Sequence, residues 1–174
     1  MWHSFAVRHL LLFNDMKRLF PLLGAAALTV GMTISAHAAD LPYDENANAQ
    51  HDLQLALQQA HASNKDVLLV FGANWCPDCR VLDFALHGKD AAALGERFVI
   101  VKVDVGNFDK NIDLAKHYGV PLRKGIPAAA LVSGEDKLLY VTRAGELANA
   151  HRMGDGAIVE FFDHMLADAA SATH

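Results

Sequence analysis

Cys76 and Cys79 are the two cysteines of the 174-residue chain, and only Pro77 and Asp78 stand between them. Thiols at this spacing can close on each other, so the pair can cycle between dithiol and disulfide. Useful cycling needs one thiol that is accessible and acidic and a second that reaches back to it. A strand turning into a helix supplies both. Cys76 would then take the helix N-cap, where free N–H groups and the positive end of the helix dipole stabilise a thiolate. Pro77 suits the first helical position, which needs no N–H. Cys79 would lie about one turn on, in reach but more covered. The Cys76 thiolate would attack a partner disulfide, a mixed disulfide would form, and Cys79 would resolve it; the oxidising direction is the reverse. Trp75, beside the nucleophile, would give a flat apolar lip for substrate.

Other uses of the pair stand beside this one. A structural staple closing so short a loop gains little unfolded-state entropy. A zinc site wants four ligands, and the chain has no second Cys pair and no His pair beyond residue 38 at H-x₃₋₅-H spacing. Two thiolates would suit Cu(I), but no His or Met stands at an evident spacing to help. A redox-inert binding module would keep both cysteines unused. Trp75 could be a packing aromatic, and Ile126-Pro127 a strand entry.

The elements that must position the pair follow from hydrophobic pattern. Leu53, Ala56, Leu57 and Ala60 fall at helical spacing and predict a helix over 49–63, after a polar lead-in over 39–50. Val67 to Phe71 is an almost wholly apolar run, the mark of a strand buried on both faces. A helix is expected from the Cys pair to Leu86, a β-branched strand over 98–105, and a helix over 109–118 stopped by Gly119. A run from Ile126 to Val132, the turn residues Ser133 to Asp136 and a strand over 137–142 make an antiparallel hairpin. Ile158, Phe161, Phe162 and Met165 build a last helix over 157–167. The expected class is α/β, with the two early strands parallel through a right-handed crossover.

Ahead of this domain, Met16-Lys17-Arg18, an apolar stretch Leu19–Ile34 and Ala36-His37-Ala38 read as an export signal with cleavage near Ala38. The 16-residue stretch is broken by Pro21 and Gly24 and is short for a spanning helix, which needs about 20 residues. Met16 could equally be the start. The division expected is therefore 1–38, extension and signal, and 39–174, one domain of ordinary size. Removing Arg8, Lys17, Arg18 and Asp15 from the 15 basic and 20 acidic residues leaves a formal charge of −7. That balance offers nucleic acid nothing, and no unpaired apolar stripe calls for a second copy, so a monomer without cofactor is expected.

Trp75-Cys76-Pro77-Asp78-Cys79 after the buried strand resembles the signature of the thioredoxin superfamily, and Gly125-Ile126-Pro127 resembles its cis-proline loop. The resemblance covers roughly residues 50–168 and is similar to periplasmic thioredoxin-like proteins. It implies a thioredoxin-like fold, a mixed sheet of about four strands flanked by helices. It also implies that Trp75, Ile126 and Pro127 hold protein or peptide disulfide substrate, and that an exported reductase draws electrons from a membrane donor. An oxidase or isomerase, or a copper-binding module, is the alternative on the same fold.

The family's buried Asp six residues before the first cysteine is here Val70. Asp83, four residues after Cys79 on the same helical face, could serve as a proton relay instead, or be a solvated helix residue. Asp78 places a negative charge near Cys76 and should raise its pKa. A less stabilised thiolate means a less oxidising couple, with a potential of about −200 to −270 mV. Pro121 to Lys124 and Ala144 to Gly156 lengthen two connections expected at the active-site face. Arg123 and Lys124 could steer an acidic partner or simply be solvated.

Overall fold

The computed structural model describes residues 41–171. The expected export signal and its cleavage at Ala38 lie outside them. The elements run α1 (Ala49–Ser63), β1 (Asp66–Gly72), α2 (Pro77–His87), α3 (Ala92–Arg97), β2 (Phe98–Asp104), α4 (Ile112–His117), β3 (Ala128–Val132), β4 (Leu138–Val141) and α5 (Asp155–Ser171). Short 3₁₀ turns at Lys89–Ala91, Leu122–Lys124 and Ala150–Arg152 lie between them.

The sheet order is β2-β1-β3-β4. β1 pairs with β2 in parallel and with β3 antiparallel, and β3 pairs antiparallel with β4 through an irregularity at Leu131/Val132. The mixed four-stranded sheet flanked by helices is the fold the sequence predicts. β1 lies centrally and is buried on both faces, which is why its sequence is a continuous apolar run and not an alternating one.

Two cores form, one on each face. Val67, Leu69 and Phe71 point into the first, with Leu53, Ala56 and Ala60 of α1 and Leu114 and Ala115 of α4. Leu68 and Val70 point into the second, with Leu82 of α2, Leu94 of α3, and Ile158, Phe162 and Met165 of α5. Alternation along one strand thus serves both layers.

Local chemistry sets the helix ends. The Asn48 side chain accepts from the His51 N–H and caps α1, and Asn64, in the left-handed region at φ 53°, closes it. α4 is shorter than its pattern suggests. Gly106, Phe108 and Asn111 all have positive φ, so the chain turns before Ile112. α3 was not foreseen: between Gly88 and Gly95 the apolar signal is a few alanines and Leu94, too short to show a period. α5 extends beyond the expected 157–167 at both ends. Among the described residues no helix is long and apolar enough to cross a membrane.

Candidate active site

The site lies where β1 gives way to α2. Cys76 is the N-cap of α2, with extended backbone, and Pro77 takes the first helical position. Both cysteines are free thiols. The Cys76 sulfur accepts the Cys79 backbone N–H at 3.2 Å and lies 3.5 Å from the Ile126 carbonyl oxygen. Ile126–Pro127 is a cis peptide bond, and it brings that carbonyl across a sequence separation of 50 residues. Cys76 shows only its edge, at 3 % exposure, whereas Cys79 is fully covered.

The two thiols are pushed apart in acidity. A hydrogen bond from the Cys79 thiol, followed in weight by burial acting the other way, then the Cys79 N–H, brings Cys76 down from 9.0 to about 7. The Asp78 charge raises it and the Asp78 N–H lowers it. Cys79 is driven far up, chiefly because its proton is held by the Cys76 sulfur and secondly by burial. The helix terminus and its partner thiol therefore outweigh Asp78, whose effect has the expected sign.

Asp78 has a partner the sequence did not reveal. Its Oδ1 accepts the His151 backbone N–H at 2.9 Å and lies 2.6 Å from His151 Nδ1. Burial would raise the Asp78 carboxyl, but the His151 backbone and ring, with Arg152 nearby, hold it below its usual range. The long link Ala144 to Gly156 thus lies against the site, joined to α2 through its 3₁₀ turn.

Gly125, at φ 116°, enters the cis-proline loop, and a Cβ there would come within 2.7 Å of the Ala148 methyl. Only glycine fits that close approach without strain.

Trp75 is half-exposed, with Nε1–H donated to the Gly106 carbonyl at 2.9 Å and its ring edge-on to Phe108 at 5.9 Å. Phe108 leads into a cavity of about 540 Å³ that also takes Ile112, Lys116, Leu122, Arg123 and Gly125 as lining. An apolar trough with basic residues along it therefore runs from Trp75 to the cis-proline loop. Arg123 belongs to it.

Asp83 is a quarter exposed and pairs with Lys102 of β2; its Oδ1 lies 3.4 Å from His87 Nδ1. Lys102 is the register partner of Val70. The Asp83–Lys102 pair thus lies on the sheet face that Val70 also faces. Tyr43, in the stretch read as a polar lead-in, is buried, with its hydroxyl and the Cys79 sulfur both packed over Gly72. Among the described residues no group of three or more Cys, His, Asp or Glu side chains is placed to hold a metal ion.

Comparison with known proteins agrees with this geometry. A family model described as thioredoxin-like matches residues 48–133. The crystal structure of a disulphide isomerase from Xylella fastidiosa Temecula1 is 47 % identical. It covers 74 % of this chain and 99 % of that one, with a TM-score of 0.71. The thiol:disulfide interchange protein DsbD of Vibrio cholerae is 29 % identical over 116 residues, 66 % of this chain. That match spans 18 % of the DsbD length. A buried strand leading to a helix capped by Cys76, a cis-proline facing that cysteine, and 47 % identity over nearly the whole of the isomerase chain agree: this chain is a member of the thioredoxin superfamily, among its thiol–disulfide oxidoreductases.

Proposed function

We propose that the protein is an exported, periplasmic protein-disulfide reductase or electron relay in which Cys76 attacks and Cys79 resolves. The observation that carries this reading is the division of labour at the α2 N-terminus. Cys76 shows an edge to solvent and has a pKa near 7, and Cys79 is protonated and fully buried behind it. At neutral pH about half of Cys76 is thiolate, which is ready to attack yet not so stabilised that the reduced form becomes a strong oxidant's product.

In the reducing direction the Cys76 thiolate bonds to one client sulfur and the other client sulfur leaves as thiolate. Cys79 then attacks Cys76 and expels the second client thiol. Two electrons pass to the client, and the Cys76–Cys79 disulfide left behind needs a dithiol donor. The export signal of the sequence implies that a membrane donor supplies it.

Client backbone would lie along Ile126 and Pro127, with Trp75 and the Phe108–Leu122 trough taking apolar side chains and Arg123 favouring acidic ones. Asp83, in its ion pair with Lys102, would serve the resolving thiol as proton relay. The protein acts as a monomer with no cofactor.

A second reading, disulfide isomerase, has one observation in its favour: the Xylella fastidiosa structure, 47 % identical, carries that description. The reduction potential separates the two. Equilibration against glutathione, followed by Trp75 fluorescence, should give about −200 to −270 mV; a value near the −120 mV of a strong oxidant would overturn the reductase reading.

A further inference from the structure

We propose that the Tyr43 hydroxyl is the hydrogen-bond donor that stabilises the Cys79 sulfur as it becomes anionic during resolution of the mixed disulfide. This rests on the assignment of Cys79 as resolving thiol. The problem it answers is physical. Cys79 is wholly buried in the first core, so water cannot solvate its thiolate. In the mixed disulfide, moreover, Cys76 no longer presents a free sulfur to share the Cys79 proton.

Two features of the chain converge to place Tyr43 there. Gly72, the last residue of β1, has no side chain; a Cβ on it would stand 2.2 Å from Tyr43 Oη and 2.9 Å from Cys79 Sγ. Both atoms therefore occupy the space over a bare glycine, which sets the hydroxyl beside the sulfur. Asn74 then fixes the Tyr43 backbone from the active-site loop. Its Oδ1 accepts the Tyr43 N–H at 3.0 Å and its Nδ2 donates to the Tyr43 carbonyl at 2.8 Å. The segment before α1 is thus pinned to the residue next to Trp75.

The surroundings decide that Tyr43 donates and does not act as a base. Burial foremost, then Cys79 and Cys76 from the start of α2 and Asp104 from the end of β2, hold the phenol well above its ordinary pKa. It keeps its proton throughout. Asp104, itself buried, has Lys110 Nζ 3.2 Å from its Oδ2.

The step balances without further reagents. Cys79 gives up its S–H proton, and its sulfur bonds to Cys76 Sγ. The Cys76–client bond breaks, and the client sulfur leaves with the electron pair and takes up a proton. Tyr43 lends a hydrogen bond to the sulfur while it is charged and is unchanged at the end.

The test is single-turnover reaction of the reduced protein with one equivalent of dithiobis-nitrobenzoate. The first coloured thiolate released reports attack by Cys76, and the second reports resolution by Cys79. Tyr43→Phe keeps the ring and removes the donor. The first rate should be unchanged and the second should fall roughly 10- to 100-fold, as expected for one hydrogen bond to a charged group. The pH profile of the second step should move up by about one to two units. Asn74→Ala, which frees the Tyr43 backbone but leaves its hydroxyl, should slow the second step alone and by less.

A second rate insensitive to Tyr43→Phe overturns the proposal. So does an equal fall of both rates with an unmoved pH profile, the mark of a packing role. If the unsubstituted protein releases no thiolate at all, the oxidoreductase assignment falls with it; normal release in both phases confines any failure to Tyr43.

Discussion

Removing the Cys79 thiol tests what sets the reactivity of Cys76. The Cys76 sulfur has two donors from Cys79, the side-chain S–H and the backbone N–H at 3.2 Å, and the S–H counts for most. Cys79→Ala deletes the first and keeps the second, with the helix terminus intact. A hydrogen bond to a charged acceptor is worth about 1.5–3 kcal/mol, and a thiol is a weak donor, so the lower end applies. That is about one pKa unit. The Cys76 midpoint should move from about 7 to ~8, which reduces the thiolate fraction at pH 7 about fivefold.

The rate at one pH would understate this, because a less acidic thiol is intrinsically more nucleophilic. With a Brønsted coefficient of about 0.4–0.5 the per-thiolate gain is roughly threefold, and the net loss at pH 7 is only about twofold. The midpoint is the quantity to measure. Iodoacetamide alkylation of the reduced protein, followed from about pH 5 to pH 10, gives it directly. The unsubstituted protein should lose about tenfold in rate per pH unit below its midpoint and reach a plateau above pH 8, since only thiolate reacts. The variant should show a higher midpoint and, above about pH 9, the faster reaction. A midpoint that stays near 7 would refute the reasoning and hand the whole effect to the helix terminus.

The remaining expectations concern the charges around the pair. Asp78→Asn removes the negative charge that raises Cys76, so the Cys76 midpoint should fall by ~0.5 unit and the couple become more oxidising by roughly 15 mV, measured by alkylation and glutathione equilibration. Lys102→Met deprives half-buried Asp83 of its partner and should cost about 1–3 kcal/mol in urea unfolding, whereas Lys102→Met with Asp83→Leu should return close to the starting stability. Asp83→Asn alone should slow the second thiolate release if the relay assignment holds.

The chemistry of the site was readable because its central part is local. The run Val67–Phe71 announces a buried strand, Pro77 fits only the start of a helix, and the cysteines come one turn apart. The cap follows from these alone, and Gly119 marks the end of its helix in the same way. What was not readable lies at long sequence separation with no local signature. His151 reaches Asp78 across 73 residues from a loop whose composition is ordinary. Tyr43 sits in a polar stretch whose pattern predicts exposure. The only sequence trace of its burial is Gly72, and a glycine at a strand end has many meanings until the atoms it makes room for are seen. Residues 89–97 fail for another reason: too few apolar positions to reveal a period.

The architecture also explains why one central strand can serve a two-thiol reaction. β1 alternates its side chains between two cores, so the turn at its end is approached from both faces of the sheet. From the first core comes Tyr43, over Gly72, onto the Cys79 sulfur. On the second face Asp83 pairs with Lys102 beside Val70, and in the proposed cycle it is the relay. In the proposed cycle the buried thiol must be neutral for most of the time and charged for an instant. A single buried carboxylate at Val70 would have had to take the proton and tolerate the nearby thiolate, two like charges in one apolar site. Dividing the work between a phenol that never ionises and a carboxylate compensated by lysine avoids that conflict. It also predicts that the losses from Tyr43→Phe and Asp83→Asn are separable: the first moves the pH profile of resolution, and the second lowers its rate while leaving the profile where it is.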